Sequence, residues 1–211
     1  MGLWPDENRC DILAWHLGDS EEAEAWIDFL GKLEEQGIRG ANGLQLIIHD
    51  GGSGLCSALR TVHFGAEQQR CLFHKLRNIY SAIETPDELS PAQRRRRRKA
   101  IFKDFRAIWE AQHYQTVLRR YLNVVRTYRS TQPKAVATLR RDFRYTVTYY
   151  FIQQRFPDWP RQFLRTTSRL ERFNRCIRRR LRVANAFHSD VGIQAMLAQE
   201  THTFNQAQPL Y

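Results

Sequence analysis

No run of about 18 apolar residues occurs in these 211 residues, so the sequence offers no membrane-spanning helix. Its opening, MGLWPDENRCDILAW, lacks the basic-then-apolar layout of an export signal. Cysteine is scarce: Cys10, Cys56, Cys71 and Cys176 are too few and too scattered for a disulfide framework. A reducing, cytoplasmic setting is the expectation. No internal repeat is visible, which excludes a solenoid. Acidic residues are also short in number, 22 against 33 Lys and Arg, for a net charge of +11. The shortage is uneven, since residues 1–50 hold three basic and eleven acidic side chains. All of the positive excess therefore lies beyond residue 50. A polyanion such as nucleic acid fits that portion, because neutralising phosphates releases condensed counterions. A merely soluble basic surface is the other reading. The length suffices for one sizeable core with a smaller appendage.

What is present begins with DILAWHL (11–17), whose bulky apolar residues read as a strand. GDSEEAEAWIDFLGKLEEQG follows as a helix, with Asp19 or Ser20 as N-cap and acidic residues in the first turn, where the dipole favours them. Trp26, Leu30 and Leu33 recur at helical spacing, and Gly37 is a natural stop. LQLIIHDGG reads as a strand that closes at Asp50, where glycines break it. Its near-continuous hydrophobicity predicts burial on both faces, as in a central strand. A helix over 54–61, a brief strand at QQRC and a helix with Leu72, Leu76, Ile79 and Ile83 on one stripe come next. The resulting β-α-β-α-β-α order predicts an α/β sheet covered by helices.

From about residue 85 the pattern becomes helical and basic. Ser90 is a predicted cap, with Pro91 at the first helical position. Phe102, Phe105 and Trp109 share a face, and Tyr114, Val117, Tyr121, Val124 and Tyr128 continue helical periodicity, as does the segment after Pro133. RFPDWP (155–160) interrupts the block, an arginine-rich helix follows, and a last helix fills 190–205.

Five features carry candidate chemistry. Asp50 closes a strand, which is where α/β proteins place catalytic carboxylates; a plain Asp-Gly-Gly turn explains it equally well. Glu171 lies within TTSRLERFNRCIRRRLR (166–182), which holds seven arginines and no other acid. Leu170, Phe173, Ile177 and Leu181 form that helix's apolar stripe, and Asn174, Arg175, Arg178 and Arg182 stack beyond Glu171. Either Glu171 makes a surface ion pair, or it helps hold a divalent ion at a phosphodiester that the arginines bind. Cys71 and His74 have C-x-x-H spacing, and recruiting Cys56 and His63 would be needed for a zinc site. A Cys and a His one turn apart beside Asp50 is the simpler reading. The run Arg94 to Arg98 with Lys99 encircles a helix, so not all six cations can meet one partner. It is a solvated patch or a DNA contact. Trp159, between two prolines, is a core plug or a base-stacking wedge.

Taken together, LQLIIHDGGSGLCSAL, GAEQQRCLFHKLRNIY and WPRQFLRTTSRLERFNRCIRRRLRV, with the earlier HLGDSEEAEAWIDFL, resemble the Mutator-type transposases of bacterial insertion sequences. The resemblance spans nearly the whole chain. It implies an RNase H-like fold with a DDE triad, a helical insertion before the final acid, and metal-dependent DNA cleavage and strand transfer. Residues 1–85 would then be the first part of the RNase H-like core, 86–160 the insertion, and 161–211 the helices that carry the final Glu. By position, Asp50 matches the family's second acid and Glu171 its third, both as catalytic Mg²⁺ or Mn²⁺ ligands. Arg172, Arg175, Arg178, Arg179 and Trp159 would contact DNA, and Cys71, His74 and Asn174 would lie near the site. The implied partners are transposon ends and target DNA, with homo-oligomers in the full-length family, no membrane, and a nucleoid-associated location.

One departure shapes the expectation. The family's first acid sits on an opening strand, whereas PDENR (5–9) here looks like a hairpin turn into the strand at 11. Asp6, Asp11 and Asp19 match no family site. The expectation is an N-terminally incomplete sheet and a truncated chain with little or no activity alone. A non-catalytic basic remnant that occupies transposon ends or a partner transposase is the alternative, and a zinc-stabilised basic module a third.

Overall fold

A computed structural model describes residues 1–3, 10–16, 22–183 and 190–207. The turn at 5–9, Asp6, Asp19 and Ser20 lie outside the described residues. The chain forms two compact units: Met1–Ile38 with Gly52–His63 and Thr167–Tyr211, and Arg39–Gly51 with Phe64–Thr166. The architecture is mixed α/β and mostly helical. Among the described residues no helix is long and apolar enough to cross a membrane.

In the first unit, β1 (Gly2–Leu3) pairs antiparallel with β2 (Asp11–Ile12). The predicted strand over 11–17 is thus only two residues long. Its chain turns off the ladder at once, because both Leu13 and Ala14 donate to the Met1 carbonyl. Ile12 gains a substitute neighbour instead: its N–H donates to the Asn205 side chain at 2.8 Å, and the Asn205 amide donates back to its carbonyl at 3.0 Å. Helix α1 (Ala23–Glu35) follows Glu22, which makes no side-chain cap bond. Leu30 and Leu33 are buried, and α1 packs on α2 (Ser53–Thr61). Gly37 ends α1 at φ +92°, with its N–H on Glu34 and the next on Leu33. That left-handed closure suits glycine. Helix α8 (Ser168–Val183) lies against α9 (Asp190–Gln206) through Phe173 and Phe204, ring centroids 5.2 Å apart.

In the second unit, β3 (Leu46–His49) pairs parallel with β4 (Glu67–Arg70), with His49 opposite Arg70. The central-strand expectation needs correction. Among the described residues β4 is the sole ladder neighbour of β3, and Leu46, Ile47 and Ile48 are half-buried. With one strand beside it, an apolar run does not report burial on both faces. The described strands form two separate two-stranded ladders.

Helix α3 (Leu72–Ala82) follows β4 after Cys71 and buries Leu72 and Ile79, and Ile83 is buried just beyond its end. Ser90 caps α4 (Pro91–Ala107) in a reciprocal box with Gln93, and Pro91 opens it. A 3₁₀ turn (Ile108–Glu110) leads to α5 (Tyr114–Tyr128), α6 (Pro133–Arg140) and α7 (Thr148–Arg155). Their core includes Phe105, Trp109, Val117, Val124, Leu139 and Tyr149. Polar side chains inside it are satisfied: the Trp109 indole donates to Thr146 at 3.0 Å, and the Tyr150 hydroxyl to the Ala111 carbonyl at 2.6 Å. Buried Gln69 of β4 accepts from the Tyr149 backbone N–H at 2.9 Å.

Candidate active site

Asp50 stands exposed just beyond β3, at the carboxyl end of the β3–β4 pair. The ladder runs one bond further, with the Cys71 N–H on the His49 carbonyl at 2.7 Å. Cys71 is therefore the cap residue of α3 rather than the end of the predicted QQRC strand. Its thiol is buried and lies 3.3 Å from the His74 ring, one helical turn on. Asp50, Cys71 and His74 thus share one strand end.

Gly51 allows the chain to leave that end. Its φ is +80°, and a Cβ there would fall 2.0 Å from the Arg70 guanidinium carbon. Arg70 is 5% exposed, and its Nε and Nη1 have no partner among the described residues. A desolvated guanidinium with unfilled donors is unfavourable for folding and sets a fixed positive potential behind the strand ends. Burial, and then the Arg70 charge, push the His49 imidazole down to about 4, against the pull of Asp50 and Asp142, so the ring is neutral near pH 7. Burial likewise pushes the Lys75 amine down to about 8; Asp142 opposes this, while Arg70 and Arg141 reinforce it. Lys75 donates to the Arg141 carbonyl. Sequence reasoning missed Arg70 and Lys75. A glycine directly after a strand-ending acid was the available signal, since it marks a close approach by another group.

The other unit holds Glu171, half-buried in the first turn of α8. The helix dipole favours a carboxylate there. Its backbone N–H bonds the Thr167 carbonyl and the Thr167 hydroxyl donates to its carboxylate, each at 3.0 Å. Phe173 is buried, whereas Arg172, Asn174, Arg175, Arg178 and Arg179 are exposed. Arg172, Arg175, Arg178 and Arg179 have no carboxylate partner among the described residues, while Arg180 pairs with Glu200 at 2.8 Å. The predicted stripe shortens at its end, since Leu181 is 40% exposed. Trp159 belongs with the Asp50 unit. The core-plug reading does not hold: Trp159 is 39% exposed and stacks on Phe156 at 4.5 Å, because the prolines turn it out after α7 ends.

The family described as "Transposase, Mutator family" matches residues 1–206. The chain belongs to that family. It is 33% identical over 177 residues to the transposase for insertion sequence element IS406 of Burkholderia multivorans, covering 83% of this chain and 41% of that protein. The transposase for insertion sequence element IST2 of Acidithiobacillus ferrooxidans is 31% identical over 165 residues, 78% of this chain and 50% of its own length. The transposase for IS905 of Lactococcus lactis is 23% identical over 213 residues, 100% of this chain and 50% of its own. This Mutator-family chain spans about half the length of the curated relatives it matches.

Proposed function

We propose that this Mutator-family chain takes part in DNA strand cleavage and strand transfer at transposon ends, with Asp50 and Glu171 as two of the acids that serve the reaction. The observation that carries the reading is α8, where a first-turn Glu171 lies beside the exposed Arg172, Arg175, Arg178 and Arg179, which have no carboxylate partner among the described residues. Arg172, Arg175, Arg178 and Arg179 would hold the DNA backbone as charge-assisted donors, and Asn174 would add a neutral one. Trp159, exposed and stacked on Phe156, offers a face to an unpaired base.

Asp50 and Glu171 each offer the carboxylate oxygens that a hard divalent ion takes, and Asp50 is open to solvent. Mg²⁺ or Mn²⁺ held there would supply positive charge at a scissile phosphodiester. Thr167 keeps the Glu171 carboxylate oriented, and Gly51 frees Asp50 from the strand. Cys71 and His74 brace the strand end. In this reading residues 1–85 and 161–211 belong to an RNase H-like core and 86–160 to its helical insertion. Transposon ends and target DNA are the partners, within a self-associated protein in the nucleoid. In this reading the chain binds DNA and divalent ions through these groups.

The test combines Mn²⁺ binding, followed by water-proton relaxation, with nicking of end-containing DNA. Asp50→Ala and Glu171→Ala should each weaken Mn²⁺ binding at least about tenfold. Binding that neither change affects, or nicking that survives both, would sink the assignment. The non-catalytic reading draws on the same exposed arginines, and DNA retention without any Mn²⁺ binding would favour it.

A further inference from the structure

Helix α4 sorts its cations by direction. Arg94 and Arg98, one turn apart, face inward: Arg94 lies 3.7 Å from Asp87, and Arg98 donates to the Ile83 carbonyl at 3.1 Å and sits over the Tyr80 ring. At about 100° per residue, Arg96, Lys99 and Lys103 fall on the opposite face, with Arg95 at its edge. All four are exposed, and none has a carboxylate partner among the described residues. Of the other charges on α4, Asp104 accepts from the Tyr128 hydroxyl and Arg106 pairs with Glu110, while exposed Arg97 projects from the flank away from Arg95.

From this we infer that the outer face of α4, formed by Arg95, Arg96, Lys99 and Lys103, is a second binding surface for the phosphate backbone of duplex DNA, in addition to the one proposed on α8. It rests on the DNA partner of the proposed function but needs no cleavage. Charge complementarity selects the occupant. None of the exposed large apolar residues lies on α4, so the face lacks the anchors that a protein hot spot or an inserted membrane helix requires. The four cations span about 12 Å of helix axis, enough to meet successive phosphates without reading bases.

The experiment measures binding of the full chain to a mixed-sequence DNA duplex between about 50 and 200 mM salt. Replacing Arg95, Arg96, Lys99 and Lys103 with Gln should keep the helical circular dichroism and lower the slope of log affinity against log salt by about 3. The deficit relative to the parent is then greatest at low salt and shrinks by about 60-fold across that range. The paired variants Arg95→Gln/Lys99→Gln and Arg96→Gln/Lys103→Gln should each give about half of the slope change. An unchanged slope in a chain that binds DNA overturns this surface and leaves the proposed function standing. An equal loss from Arg94→Gln/Arg98→Gln also overturns it, as does a slope change seen with RNA but not with duplex DNA. Absence of any DNA binding by the parent overturns both readings.

Discussion

The two units support their proposed acids in opposite ways. Asp50 follows a short strand whose partner β4 is tied into a core of Phe105, Trp109, Leu139 and Tyr149. Glu171 sits in the first turn of a helix that is anchored by Phe173 and held locally by Thr167. One acid is positioned from behind by deep packing, and the other by its own helical turn. Damage to distant packing should therefore displace Asp50, whereas Glu171 should respond mainly to changes within a turn of itself.

The largest expected effect probes the deep core. Phe105→Ala should destabilise the chain by about 3–5 kcal/mol in urea unfolding, because Phe105 is fully buried. Phe173→Ala, in the unit with fewer buried side chains among the described residues, should fall at the low end of that range. A greater loss at Phe173 would invert the contrast.

Next comes pH. Lys75 is pushed down to about 8 when folded, so between about pH 8 and its ordinary value of 10.5 the unfolded chain holds the extra proton. Stability should therefore rise as pH climbs through that window, by at most about 3 kcal/mol. Lys75→Met should flatten the rise, as read by melting temperature against pH. A rise that persists unchanged in the variant would show that Lys75 is not its source.

Gly51→Ala should then lose about 1–3 kcal/mol through its left-handed φ and the clash with Arg70. Adding Arg70→Ala should recover part of this, and a double-mutant cycle with no coupling would rule out the close approach. The smallest effect is Thr167→Ala, about 1 kcal/mol in thermal unfolding, with Mn²⁺ binding falling alongside. A change in stability alone would reduce Thr167 to a helix-end residue.

Much of the helical framework was legible because its signals are local. Ser90, Gln93 and Pro91 mark the start of α4, Pro133 starts α6, and Gly37 closes α1, each through backbone chemistry within a few residues. Strand length was not legible. DILAWHL is apolar enough for a strand, but the Met1 carbonyl captures Leu13 and Ala14 after two residues, and composition carries no trace of that bond. At the site, the exposure of Asp50 follows from the glycines after it. Buried Arg70 was signalled only indirectly, by the glycine after Asp50, and buried Lys75 by nothing local, since arginine and lysine are usually solvated and only the fold encloses these two. The six-cation run was ambiguous for the converse reason: helical phase separates its members, and burial decides which side is which.

The Gln69 side chain has a further consequence. It satisfies the backbone of Tyr149 from within β4, so the helices that follow are not a detachable cassette. Grafting that block into a relative lacking an amide at the equivalent of position 69 would strand the buried N–H of Tyr149 in the chimera. Exchange of this region between family members should succeed only when the strand travels with it.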